Sequence, residues 1–374
     1  MKRQLIQIVE SSARHQWFEE LVFEIQEKSI RQSVVTLEPR GELFNVMEEK
    51  NILITGGKRT FTILKIWRAA CSVKNIGLGP EFCLVVAHGH KASISAMVSK
   101  LLFDIDYGIV HHQSPIVFFD SLRSRHPIRG NIHTYLYRHY VKRAKFIQAL
   151  SLEVFNSVSE LGYPKNQIIL LGHGISSKNF GSSTNFDSIQ KPGGGQNETI
   201  LMVGRLSWEK NYLLAFKVVK ELVKKCPGLK VIIAGAGPDF DSLTKVRNEL
   251  GLQRHVELVG WQPNISELMF EADLFLHLSL TESYGQVLLE ACLSDLDVFT
   301  FPVGVALDLE AAGNPLIHIL KSRNPEAISE ELSTFLEKNK KHLSGRVSPN
   351  LVEHRVYFIH KAMVNYLIAQ STSV

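Results

Sequence analysis

The sequence predicts an α/β protein made of two parallel-sheet units, and three observations carry that expectation. Short runs rich in Val, Ile and Leu alternate with amphipathic stretches of helical period along most of the 374 residues, the pattern of strands joined by crossover helices. That pattern halts in a Ser-, Asn- and Gly-rich stretch, 176–199, which holds Gly193-Gly194-Gly195, and then restarts as it would after a linker. Length agrees, because domains run at about 150 residues each. With 45% hydrophobic and 21% charged residues, each half has material for its own core.

Taken in order, the first half predicts strands at 5–9, 33–37, 83–87, 107–111 and 145–149, with helices at 17–30, 61–74 and 92–102 between them. After the linker come strand 199–203, helix 211–225, strand 230–234, helix 239–250, strand 255–259 and helix 265–271. Strand 274–278, helix 285–293 and strand 297–301 complete the second half. A last helix is expected at 352–369, where Val356, Ile359, Met363, Tyr366 and Leu367 share a face. The expected division is a first domain over 1–178, a second over 179–350 and a terminal helix in 351–374 that crosses back to the first. Two such doubly wound, Rossmann-like halves predict a central cleft, with ligands beyond the carboxyl ends of the strands.

Composition narrows the function. No apolar run approaches the roughly 18 residues that span a bilayer, and Gln7 and Glu10 break the N-terminal apolar stretch too early for a signal peptide. A cytoplasmic chain is expected. Cys71, Cys83, Cys226 and Cys292 are scattered without metal-ligand spacing, so they read as small hydrophobes in a reducing compartment. The net charge of +5 is uneven: up to Lys178 there are 23 Lys and Arg against 15 Asp and Glu, a net +8. The remainder carries 19 against 22, a net −3. A basic first half predicts an anionic partner.

Two segments carry chemistry. In Val203-Gly204-Arg205-Leu206-Ser207-Trp208-Glu209-Lys210-Asn211 a strand ends, a loop follows and a helix begins, with Arg205 and Lys210 on the loop. An Arg fork and a Lys point charge beside a glycine suit a diphosphate. In Thr281-Glu282-Ser283-Tyr284-Gly285-Gln286-Val287-Leu288-Leu289-Glu290 two carboxylates stand 8 apart around a glycine at a helix start. Free amides at Gly285, Gln286 and Val287 favour an anion. Glu290 on the helix suits a ribose diol, and Glu282 on the loop suits a sugar.

These segments make the chain resemble the family 4 glycosyltransferases of the GT-B fold. The family's G-R-x-x-x-x-K element is Gly204, Arg205 and Lys210, and its E-x7-E element is Glu282 and Glu290. Val231-Ile232-Ile233-Ala234-Gly235-Ala236-Gly237-Pro238 and Val259-Gly260-Trp261 also follow its layout. In the first half Val34 to Gly41, Ala87-His88-Gly89-His90, Val110-His111-His112 and Leu171-Gly172-His173-Gly174 resemble it more weakly. The resemblance implies a retaining transfer of a hexose-type sugar from a nucleotide diphosphate to a hydroxyl acceptor, with no metal and no other cofactor. It implies catalytic roles for His112 and Glu282, with His111 the adjacent competitor. Donor-diphosphate contacts fall to Arg205, Lys210 and the amides of Gly285, Gln286 and Val287, ribose contacts to Glu290, and base contacts to the loop around Trp261. The acceptor suggested by the basic first half is a cell-envelope or lipid-linked glycan.

Three positions depart from the family: Ser283 stands where a glycine is usual, Gly304-Val305 replaces a glycine pair with Asp308 in place of a glutamate, and the loop from Glu10 to Gln16 lacks its glycines. Rival readings are a nucleotide-sugar epimerase on the same fold and a non-catalytic nucleotide-sugar-binding subunit. Gly235-Ala236-Gly237 lacks the third glycine of a dinucleotide fingerprint. Three Asp-x-Asp pairs, at Asp104, Asp239 and Asp295, are too common a pattern to name a metal site. Between Ser121 and Leu152 there are seven Lys and Arg and no Asp or Glu. There Leu136, Tyr140, Ala144 and Ile147 follow helical spacing, with Arg138, Lys142 and Lys145 on another face. Such a face, interleaved with Tyr135, Tyr137 and Tyr140, suits an anionic membrane surface and a peripheral location. No nucleic-acid recognition motif accompanies it.

Overall fold

In the computed structural model, which describes residues 3–11, 16–27, 30–57, 62–77, 82–111, 114–172, 198–282 and 284–339, every paired strand runs parallel to its neighbours. The chain divides into two units, one with a seven-stranded sheet and one with a six-stranded sheet. Parallel strands require a crossover between them, so helices cover both faces and the strands read as continuous apolar runs.

The first sheet contains β1 (Arg3–Val9), β2 (Arg31–Thr36), β3 (Leu53–Gly56), β4 (Phe82–His88), β5 (Asp106–His111), β6 (Phe146–Ala149) and β7 (Ile168–Leu170). Their order is β3-β2-β1-β4-β5-β6-β7, so direction reverses between β1 and β4. Ile6, Ile8, Val85, Ala87, Tyr107, Ile109, Tyr137 and Tyr140 pack on one side, and Val9, Phe18, Val22, Val34, Leu43 and Met47 on the other.

The second sheet contains β8 (Thr199–Val203), β9 (Lys230–Ala234), β10 (Val256–Gly260), β11 (Leu274–His277), β12 (Val298–Thr300) and β13 (Ile317–Ile319). The order β10-β9-β8-β11-β12-β13 puts the reversal between β8 and β11. Ile200, Met202, Phe216, Val219, Ile233, Leu276 and Phe299 lie in its core, and helix Pro325–Asn339 packs on helix Tyr212–Leu222.

All ten strands expected from the sequence are present. The three not expected, β3, β7 and β13, have four, three and three residues and sit at sheet edges, too short to show a period. The basic segment departs from expectation. Helix Pro127–Val141 stops with Lys142 as its C-cap residue, and Phe146, Ile147, Gln148 and Ala149 form buried β6. Leu136, Tyr140, Ala144 and Ile147 therefore do not share one helical face, because the β-pairing of Ile147 overrides its helical spacing. Arg138 and Lys142 are exposed, while Lys145 is half-buried at the entry to β6. The boundary at 178, the linker and the expected helix at 352–369 lie outside the described residues. Among the described residues no helix is long and apolar enough to cross a membrane.

At the carboxyl edge of the second sheet, three loops are joined backbone to backbone. Gly204 N donates to Ala234 O, Leu206 N to Ala236 O, and Gly235 N to Gly260 O at 2.7 Å. This closeness needs glycine: a Cβ on Gly235, whose φ is +151°, would lie 1.9 Å from Gly204 O, and one on Gly237 would lie 2.2 Å from Leu206 O. The Gly235-Ala236-Gly237 run thus serves loop-to-loop packing. Gly235→Ala is expected to cost roughly 2–4 kcal/mol through strain and overpacking, read as a lower melting temperature by calorimetry. A melting temperature equal to that of the parent chain would contradict this account.

Candidate active site

The loop after β8 carries Gly204, exposed Arg205 and a 3₁₀ turn, Trp208–Lys210. Asn211 takes a left-handed conformation with φ +56° before helix Tyr212–Leu222 begins. Lys210 is thus on a tight turn rather than on the helix. The turn is pinned from both sides: Tyr212 Oη donates to Gly204 O at 3.1 Å, and Leu280 N donates to Glu209 O at 2.8 Å. Ser207 Oγ donates to Glu209 Oε1 at 2.5 Å. These bonds aim Lys210 at the loop that follows β11.

There Glu282 is buried, with 8% of its surface exposed. Its Oε1 accepts from Lys210 Nζ at 2.5 Å and from His277 Nε2 at 2.7 Å. Burial alone would raise its pKa. The His277 hydrogen bond and charge, together with the Lys210 ammonium, outweigh burial and hold it down at about 2. The loop after β12 closes over the same segment, with Val305 N donating to Tyr284 O at 2.7 Å. Gly304, at φ +53°, leaves the room required, since a Cβ there would meet Tyr284 O at 2.5 Å and Glu282 Cβ at 2.8 Å.

Gly285, left-handed at φ +78°, opens helix Gln286–Leu293 without a side-chain cap. Leu288 N donates to Gly285 O at 2.9 Å, which leaves the amides of Gln286 and Val287 to a ligand acceptor. Glu290 lies one turn further along, half-buried, and burial pushes its carboxyl up to about 7 against a smaller opposing hydrogen bond from Gln286. The two carboxylates of the E-x7-E element thus have opposed electrostatics, one held ionised and the other near its protonation midpoint at neutral pH. Such separation is typical of paired carboxyl groups with different tasks.

Beside this cluster is a cavity of about 310 Å³ lined by Val203, Gly204, Arg205, Ala234, Gly235, Ala236, Trp261, Gln262 and Ile265. Trp261, 71% exposed, stands at its margin. The structure therefore brings Lys210 together with Glu282, and Arg205 with Trp261, with the Gly204–Lys210 loop common to both. Lys210 comes from the loop after β8 and Glu282 from the loop after β11, the two strands between which the sheet reverses. That is the switch point at which open α/β sheets bind ligands.

Other expected residues lie elsewhere. His112 is outside the described residues, and its competitor His111 is buried with Nε2 3.3 Å from Tyr137 Oη. Arg138, Lys142 and Lys145 belong to the first unit. Lys100 Nζ pairs with both Asp104 and Asp106, and Asp297 accepts from His318 Nε2. No group of three or more His, Cys, Asp or Glu is placed to hold a metal among the described residues. Two features were missed in the sequence. His277 interrupts the apolar run Leu274-Phe275-Leu276, and that lone polar residue five positions before Glu282 was the available signal. In the first unit His90, its pKa pushed down to about 3 chiefly by burial, bonds Tyr140 Oη at 2.8 Å and His133 Nδ1 at 2.6 Å.

The two doubly wound sheets define a two-domain α/β protein of the GT-B fold. Residues 184–346 match the glycosyl transferases group 1. The match covers less than half of the chain and marks a group 1 glycosyl transferase domain, and the resemblance to family 4 is consistent with its relatives. It is 27% identical over 139 residues to the GPI3 subunit of phosphatidylinositol N-acetylglucosaminyltransferase of Saccharomyces cerevisiae, covering 37% of this chain and 31% of that protein. It is 27% identical over 161 residues to N-acetyl-alpha-D-glucosaminyl L-malate synthase of Bacillus anthracis, covering 42% of this chain and 41% of that one. The matches thus span less than half of each relative's length. HepE of Anabaena, solved with UDP and glucose, superposes with a TM-score of 0.73 at 17% identity, over 98% of this chain and 100% of that one.

The opposed carboxylates make a pH prediction. Glu290 has its folded pKa raised from 4.5 to about 7, so its neutral form is the one folding favours. Its stabilising share is complete below about pH 4.5 and is lost as pH rises through about 7. Glu290→Gln should therefore melt above the parent chain at pH 8 and level with it at pH 4. Equal melting temperatures at both values would remove the buried-carboxyl account.

Proposed function

We propose that this chain is a retaining glycosyltransferase that moves a hexose-type sugar from a nucleotide diphosphate to a hydroxyl of a cell-envelope or lipid-linked glycan, without a metal ion. The observation that carries the reading is the Lys210–Glu282 pair at the switch point, beside an uncapped helix start and a cavity of about 310 Å³. One relative is a subunit of an N-acetylglucosaminyltransferase and another an N-acetyl-alpha-D-glucosaminyl L-malate synthase, which makes a UDP-linked N-acetylhexosamine the first donor to try. We further propose a cytoplasmic chain that works at an anionic membrane face.

In this reading Arg205, Lys210 and the amides of Gly285, Gln286 and Val287 receive the diphosphate. Glu290 accepts hydrogen bonds from the ribose diol, and the cavity beside Trp261 takes the base. Glu282, kept ionised by His277 and Lys210, faces the sugar, and the family resemblance gives His112 a catalytic role. The bond between the anomeric carbon and the phosphate oxygen breaks while the acceptor oxygen bonds that carbon on the same face. The acceptor's proton passes to the departing phosphate oxygen. Charge growing on the diphosphate is met by Arg205, Lys210 and the helix amides, which is how a site without a metal lowers the barrier. Lys210 has three N–H donors, so its bond to Glu282 leaves others for a phosphate.

Titration calorimetry with a UDP-sugar tests the reading. Glu290→Ala should weaken donor binding by roughly 1.5–3 kcal/mol, the worth of hydrogen bonds to a charged group. Because a diol favours the carboxylate form, binding to the parent chain near pH 7 should also release protons from Glu290. That release appears as a dependence of the heat on buffer ionisation, absent in Glu290→Gln. Glu282→Ala should lower turnover far more than affinity. Donor binding without any turnover would favour a binding subunit, and an epimerised sugar without acceptor would favour an epimerase.

A further inference from the structure

Helix Pro127–Val141 has apolar side chains on both faces, and only one face belongs to the core. Gly130, Tyr137, Tyr140 and Val141 are buried against the first sheet. On the opposite side Ile128, Ile132 and Tyr135 are 80%, 54% and 63% exposed, spaced four and three apart and so on one stripe. Core packing therefore leaves this outer stripe unexplained. By helical period Arg138 and Lys142 flank the stripe on one side and Arg129 on the other, all three exposed. Arg143, in the turn beyond, bonds His139 O at 3.2 Å. No Asp or Glu occurs from 121 to 152 to neutralise them.

We infer that this outer stripe docks on an anionic lipid bilayer, with Ile128, Ile132 and Tyr135 entering the headgroup boundary and the flanking cations held at the phosphates. Apolar insertion flanked by cations is the geometry of an interfacial helix. A soluble polyanion would meet the cations but leave the aliphatic stripe in water. The helix, 15 residues long and about 22 Å end to end, lies on a surface and is too short to cross it. Its middle and C-terminal turns lie beside the carboxyl edge of the first sheet, since His133 and Tyr140 both reach His90 just after β4. A lipid-linked acceptor would thus be delivered at the edge where ligands bind. The surface differs from the sequence expectation: the inserted residues are Ile128, Ile132 and Tyr135, while Tyr137 and Tyr140 belong to the core.

The inference rests on the proposed membrane-side acceptor, and the two fail separately because donor binding and vesicle binding are different assays. The test is co-sedimentation of the full chain with phosphatidylcholine vesicles, with and without phosphatidylglycerol, at low and high salt. The parent chain should sediment with the mixed vesicles only. Ile128→Ser with Ile132→Ser should weaken partition about tenfold or more at either salt, as loss of aliphatic burial requires. Arg138→Ser should weaken it about fivefold at low salt, the loss fading as salt rises. Donor titration on the same variants should be unchanged, which also shows that they are folded. Parent-level sedimentation of the Ile pair variant would overturn the inference. So would a dimer of the parent chain, in the absence of vesicles, that the Ile pair variant abolishes, because the stripe would then be covered by a second copy.

Discussion

A carboxylate with 8% of its surface exposed cannot stay ionised unless its partners repay the lost hydration. Glu282 has two, and most of the local architecture is arranged to hold them. His277 is the last residue of β11, so it approaches from the sheet itself. Lys210 approaches from a 3₁₀ turn whose position is set by Tyr212, Glu209 and Leu280. Gly304 leaves room on the remaining side. Moving any of these would leave a buried charge under-compensated, which ties three loops and two strands to one oxygen atom.

The same economy of space governs the neighbouring loops. Gly235 and Gly237 let backbones touch where any side chain would collide. The cavity beside Trp261 has a wall of small residues, Gly204, Ala234, Gly235 and Ala236. Such a wall leaves room for a planar ring beside Trp261. Glu290 has no cationic partner among the described residues, and burial moves it the opposite way from Glu282. One helix and the loop before it therefore present a fixed charge and a titratable one.

Much of this was legible in the sequence, and the failures have physical causes. Long, buried strands announce themselves as apolar runs, so the central strands were readable. β3, β7 and β13 were not, because edge strands of three or four residues carry too few positions for a pattern. Glu282 and Lys210 were legible as chemistry but not as a pair, since 72 residues separate them and only the sheet order brings them together. His277 was hidden by its place in an apolar run. The basic helix was misread because Ile147 has the spacing of a helical face and the environment of a strand, and pairing with Ile109 and Ile168 decides between them.

Whether the Lys210–Glu282 pair serves stability or chemistry can be argued from its partners. Buried ion pairs are weak stabilisers, and an apolar pair of similar volume does as well or better. Stability alone therefore does not account for a lysine at this position. Both donors converge on Oε1 of Glu282, and among the described residues neither uses Oε2. If Lys210 is drawn toward a phosphate, His277 still holds the carboxylate, so the site does not pass through a state with an orphaned buried charge. A site with one donor would have to choose between its anion and its own glutamate. Two donors on one oxygen let the lysine be shared, leave the second oxygen for a hydroxyl, and keep the carboxylate ionised throughout.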